Sequence, residues 1–114
     1  DYNDNLVSLQ PLSSITSVGT YVLISSTSIS QLGLNSLNSV GDNFMITFCR
    51  NLTNLNDLSN LQSFGGVLTI WANETLTDFC GLTTAVLNMN KPLDITNNLY
   101  NPTLQDFING DCSL

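Results

Sequence analysis

The chain has 114 residues, of which 42% are apolar and only 10% charged, and nine acidic residues against Arg50 and Lys91 give a net charge of −7. Such a surface repels phosphate backbones, which excludes nucleic acid as a partner, and anionic membrane surfaces are disfavoured for the same reason. No apolar run approaches the roughly 18 residues needed to span a bilayer, so no membrane insertion is expected.

The polar remainder is mostly Asn, Ser and Thr, and the nineteen Leu residues recur at regular spacing. Leucines in that number must be buried, which rules out a disordered tail. The length fits one domain, residues 1–114. Neutral hydrogen-bonding side chains suit an exported protein, extracellular or displayed on the cell surface. No leader is visible, since the chain starts at Asp1 in a polar stretch, so a mature or trimmed piece is expected.

In chain order the sequence divides into four repeats, at about 6–28, 29–51, 52–75 and 76–98, with a terminal cap at 99–114. Counting back from Leu6, the preceding anchor falls at position zero and Asn3 takes a corner slot. The N-terminus is therefore expected to be trimmed from a longer chain, the alternative being that another cap precedes it. An open end would expose apolar surface, so end-to-end or sheet-face self-association is expected.

Seven columns run through the repeats. They are Leu6/Ile29/Leu52/Leu76, Leu9/Leu32/Leu55/Phe79, Leu12/Leu34/Leu58/Leu82, Ile15/Leu37/Leu61/Val86, Val18/Val40/Phe64/Met89, Val22/Phe44/Leu68/Leu93 and Ile24/Ile46/Ile70/Ile95. One extra residue precedes Val86. A unit repeated at this period buries its apolar side by stacking on its neighbours. The last two columns flank one outward residue each, which is the alternation of a short strand. Gly and Asn interrupt every repeat, so no long helix is expected within it.

After the Val/Phe/Met column stand Gly19, Gly41, Gly65 and then Asn90. Asn as the replacement predicts a left-handed turn at this position. Three residues beyond each anchor Ile stand Thr27, Cys49, Asn73 and Asn98. Here a buried Asn can bond the backbone of the next repeat, so the four are expected to form a structural corner ladder. Cys49 is read as a small buried thiol within it; with no His in the chain, a Cys–His nucleophile is excluded.

The segments SLNSVGDNFMI and NLQSFGGVLTI, with the ending LTDFCGL … NNLYNPTLQDFINGDCSL, resemble the receptor-L-type leucine-rich repeats of secreted and surface proteins of Bacteroidetes. Those are related in pattern to the L domains of the insulin and epidermal-growth-factor receptors. The resemblance covers essentially the whole chain. It implies a right-handed β-helix with leucine-rich-repeat-like coils displayed outside the cell. The departures are Ser25-Ser26-Thr27 where an Asn-containing corner is expected, and the missing glycine of the fourth repeat. The expected fold is mainly all-β: a leucine-rich-repeat-like solenoid of about four coils with a short C-terminal capping helix.

That helix is expected at roughly 102–109, with Asn101 as N-cap, Pro102 first and Gly110 as the stop. Leu104, Phe107 and Ile108 would share its inner face. Three cysteines allow three pairings, and Cys80–Cys112 is chosen because Cys49 has its corner role; three reduced thiols are the alternative. Closing that loop would contribute about 3–4 kcal/mol. Zinc lacks His and paired CxxC ligands, and no metal or cofactor is expected.

Catalysis needs convergent groups, and Asp42, Asp57, Asp78, Asp94 and Asp106 share no column. Asp57 and Asp78 read as solvated turn residues, and no enzyme is expected. The outward strand positions are more informative: Leu23, Met45, Thr69 and Asp94 in one column, Ser25, Thr47, Trp71 and Thr96 in the next. Leu23, Met45, Thr47, Trp71 and Thr96 form the candidate ligand-binding face, because an exposed aromatic on a flat sheet contacts proteins or sugar rings. The expected function is a non-catalytic recognition or adhesion module for a protein or glycan. The alternatives are a spacer of a larger surface protein without its own ligand and, more remotely, an ice-binding face, which Trp71 and Met45 interrupt, or a hydrolase. Of two glycosylation sequons, Asn51 should be exposed and Asn73 buried in the corner.

Overall fold

The computed structural model describes residues 12–25 and 27–114. Expectations at Asn3, Leu6, Leu9 and Ser26 lie outside them. The strands are β1 (Ser17–Val18), β2 (Val22–Ser25), β3 (Ser39–Val40), β4 (Phe44–Thr47), β5 (Ser63–Phe64), β6 (Leu68–Trp71) and β7 (Leu93–Thr96). The α-helices are α1 (Thr83–Asn88) and α2 (Leu104–Asn109).

These elements overturn the expected fold class. The described residues form a small α/β fold with two parallel sheets, β1-β3-β5 and β2-β4-β6-β7, and two α-helices, not an all-β β-helix or leucine-rich-repeat-like solenoid. The strands are only two to four residues long. The sequence period survives as register: Val22, Phe44, Leu68 and Leu93 lie side by side, as do Ile24, Ile46, Ile70 and Ile95. From the second repeat onward the apolar columns meet in one core, where Phe44, Ile46, Leu52, Leu55, Leu58, Leu61, Leu68 and Ile70 are fully buried, whereas Leu12 and Ile15 of the first repeat are exposed.

The extra residue before Val86 explains α1. It turns the three-residue spacing into Leu82, Ala85, Val86 and Met89, one helical face in place of the strand the fourth repeat would have added to the three-stranded sheet. Ala85 and Val86 are its buried residues. The break at Gly and Asn that argued against helix is absent from Thr83 to Leu87.

The capping helix starts two residues later than expected. Thr103, not Asn101, is the N-cap: its hydroxyl accepts the Asp106 N–H at 3.2 Å, while the Asp106 carboxylate accepts the Thr103 N–H at 2.8 Å. This reciprocal box satisfies two of the end's orphan donors. Gly110 ends the helix in the left-handed region at φ 83°. Only Phe107 is buried on it; Leu104 and Ile108 face outward, 49% and 56% exposed. The disulfide Cys80–Cys112 holds the tail, with Cα atoms 5.0 Å apart. Phe79 N donates to Cys112 O at 2.8 Å and Leu114 N to Thr77 O at 3.1 Å.

The glycine column has a different cause from the one expected. Positive φ falls instead at Phe48, Ala72 and Asn97, one residue before each corner side chain. Gly41 and Gly65 are required by close backbone approach. A Cβ on Gly41 would strike Gly19 O, and one on Gly65 would strike Gly41 O. Asn90 fits because the fourth repeat leaves this packing at α1.

Candidate recognition face

The four-stranded sheet positions the candidate face. Parallel strands stand about 4.8 Å apart and alternate their side chains, so Val22/Ile24 and their equivalents point to the core. Leu23, Met45, Thr69 and Asp94 then line up on the opposite side, beside the column Ser25, Thr47, Trp71 and Thr96. Leu23 is 50% exposed and Trp71 39%. Met45 is half-buried and Thr96 exposed.

Thr47 does not belong to the contact surface. It is buried, and its hydroxyl donates to Ser25 Oγ at 2.8 Å. The residue that takes its place is Phe48, overlooked in the sequence because it follows the strand. Its ring meets Trp71 edge-to-face, centroids 5.0 Å apart and planes at 84°, and it is 47% exposed. Its backbone sits at φ 55°, where Ala72 and Asn97 stand in the next two repeats. A bulky residue in the left-handed region is a true outlier. The available signal was an aromatic in a turn position that the other repeats fill with small or Asn side chains.

Behind the face lies the corner series. Asn73 is fully buried; its Oδ1 accepts the Cys49 N–H at 2.9 Å, and its Nδ2 donates to Ile46 O at 3.0 Å. Asn98 repeats the pattern, accepting the Asn73 N–H at 3.0 Å and donating to Ile70 O at 2.9 Å. Asn101 closes it by accepting the Asn98 N–H at 2.9 Å, which is why Asn101 is not free to cap α2. At the other end Thr27 Oγ1 donates to Cys49 Sγ at 3.6 Å, and the thiol donates to Thr47 O at 3.5 Å. Burial pushes the Cys49 thiol up, opposed by its hydrogen bonds with Thr27, so it stays protonated at neutral pH. These bonds fix the backbone on either side of Phe48 and Ala72.

The acidic residues are engaged singly. Asp57 is tied in: its Oδ2 accepts the Gly33 N–H at 2.8 Å, and Asp78 Oδ1 accepts the Cys80 N–H at 3.0 Å. Among the described residues, no three His, Cys, Asp or Glu side chains are grouped to hold a metal ion. Also among them, no helix is long and apolar enough to cross a membrane. Asn51 is exposed and donates to Ser28 O at 3.1 Å, while the second sequon asparagine, Asn73, is the buried corner residue.

No protein-family model, curated protein or solved structure matches the chain.

Proposed function

We propose that the protein is a non-catalytic recognition or adhesion module, exported to the cell surface or beyond, that docks a protein or glycan on the face formed by Leu23, Met45, Phe48 and Trp71. The observation that carries this reading is the exposed Phe48–Trp71 pair, held on a left-handed backbone at Phe48. Backbone strain at a bulky residue costs about 1–3 kcal/mol and concentrates at ligand-contacting sites. Parallel sheets are also ordinarily covered on both faces. This one leaves Leu23 and Trp71 in solvent, so a partner supplies the missing cover. A disulfide and the low charge are compatible with the exported setting. A kinship with the receptor-L-type repeats remains part of this proposal and rests on the sequence pattern alone.

The test is a screen of the protein on a glycan array and against a panel of extracellular proteins, in parallel with Trp71→Ala/Met45→Ser. Hits that lose at least tenfold in affinity in the double variant support the face. Hits indifferent to it contradict the assignment, and a screen with no hits at all returns the spacer reading.

A further inference from the structure

A second surface lies at the sheet's β7 edge, where Thr96 stands next to Trp71. β7 is terminal in the order β2-β4-β6-β7. Beside it runs a groove of about 380 Å³ between the strand and the segment 101–104, lined by Met89, Lys91, Leu93, Ile95, Pro102 and Leu104 among others. Residues in a parallel ladder alternate in the direction of their backbone groups. Ala72 N donates to Thr96 O at 3.3 Å, which points the amides of Asp94 and Thr96 toward β6. The N–H and C=O of Leu93 and Ile95 therefore point the other way, into the groove. The same alternation is visible one strand earlier: Ile70 O faces β7 and accepts Asn98 Nδ2 at 2.9 Å. Ile95 is its equivalent on the edge.

The geometry points to this groove as a binding site for an extended peptide segment of a partner protein, added as a further strand to β7 with one carboxylate beside Lys91. A bare strand edge offers a ladder of backbone donors and acceptors that only another extended backbone matches. The apolar lining residues Leu93, Pro102 and Leu104 take alternate side chains of that segment. Lys91 is exposed, and no ion pair is found for it among the described residues. Asp94 also lines the groove, where its carboxylate accepts the Thr96 hydroxyl at 3.4 Å, and Lys91 is the one cationic side chain of the lining. The remainder of a chain with net charge −7 repels acidic partners, so a carboxylate is admitted at Lys91 and the rest of the segment is neutral or basic.

The experiment selects random twelve-residue peptides displayed on phage against the whole chain and then synthesises the enriched sequences. Expected are peptides alternating apolar and polar residues around one Glu or Asp, with affinity reduced at least tenfold by Lys91→Glu and by Leu104→Glu. Both substitutions sit on exposed side chains, so folding is retained and is checked by thermal melting. N-methylation of alternate peptide amides should abolish binding. Hydrogen exchange gives an independent reading: the Leu93 and Ile95 amides exchange fast in the free protein and slow down with peptide, while those of Asp94 and Thr96 are slow throughout. Three outcomes overturn the proposal: no enriched peptide, enriched peptides indifferent to both variants, or Leu93 and Ile95 amides protected without peptide in a concentration-dependent way. The last would make the edge an interface between copies of the chain.

Discussion

At the residue scale the corner series sets up a paired expectation. Asn73 is bonded to the backbone of Cys49 and Ile46 and to Asn98, all in the core. Asn73→Ala leaves at least two buried backbone groups without partners and should lower unfolding free energy by about 3 kcal/mol in urea denaturation. Cys49 occupies the equivalent position with a weaker donor, whose contact to Ile24 O is 4.0 Å long. Cys49→Asn should continue the amide series and raise stability by about 1 kcal/mol, the net value of a typical hydrogen bond. The thiol also has a pH signature. Its pKa is raised above 9.0 by burial, so the unfolded chain ionises first and stability is full below about pH 9, then falls as pH rises through the folded value. Tyr100 acts in the same direction, raised by desolvation and by Asp106 and Asp111, with its hydroxyl donating to Asp111 O at 2.6 Å. Melting temperature should therefore decline above about pH 9, and less steeply in Cys49→Ala; an identical slope would remove the thiol from that explanation.

At the element scale the turns distinguish two uses of glycine. Gly65 faces the Gly41 carbonyl with no room for a methyl group, whereas a Cβ on Gly19 would meet nothing within 4 Å. Gly65→Ala should cost about 2–3 kcal/mol by overpacking, and Gly19→Ala less than about 0.5 kcal/mol, measured side by side by denaturant midpoint. Sequence alone could not separate the two uses. A column of glycine with one Asn looks the same whether the backbone needs positive φ or a close neighbour, and the neighbour is 22 to 24 residues away. The strand couplets were legible because their apolar positions recur at a fixed interval and pair in that same register. The short sheet β1-β3-β5 was not: two-residue strands carry too few positions to show alternation. α1 hid in a single inserted residue, and α2 was mistaken at its start because Asn101 and Thr103 are both good caps. Only the pull of Asn98 on Asn101 decides between them. On the face, Trp71 was readable from its column, while Thr47 sinks beneath its neighbours and Phe48 rises into view through a backbone conformation no pattern displays.

At the scale of the whole molecule, the two parallel sheets and two α-helices of the described residues close one core, and the disulfide fastens the tail to it across 32 residues of sequence. Opening that loop by the double variant Cys80→Ser/Cys112→Ser should lower stability by about 3–4 kcal/mol in the chain-entropy account. The chief change expected is fast hydrogen exchange over 99–114, with the four-stranded sheet still protected. The surface that results has an aromatic pair on the open side of the sheet, and the central claim is that this pair serves recognition and not folding. Phe48→Asn separates the two roles, since Asn accepts the left-handed backbone and removes the ring. Relief of strain offsets the loss of an exposed aromatic contact worth about 0.5–1.5 kcal/mol, so stability should stay within about 1 kcal/mol of the parent. Binding to the partners identified by the screen should fall at least tenfold. A variant that loses more than about 2 kcal/mol of stability yet binds every partner unchanged would contradict the claim.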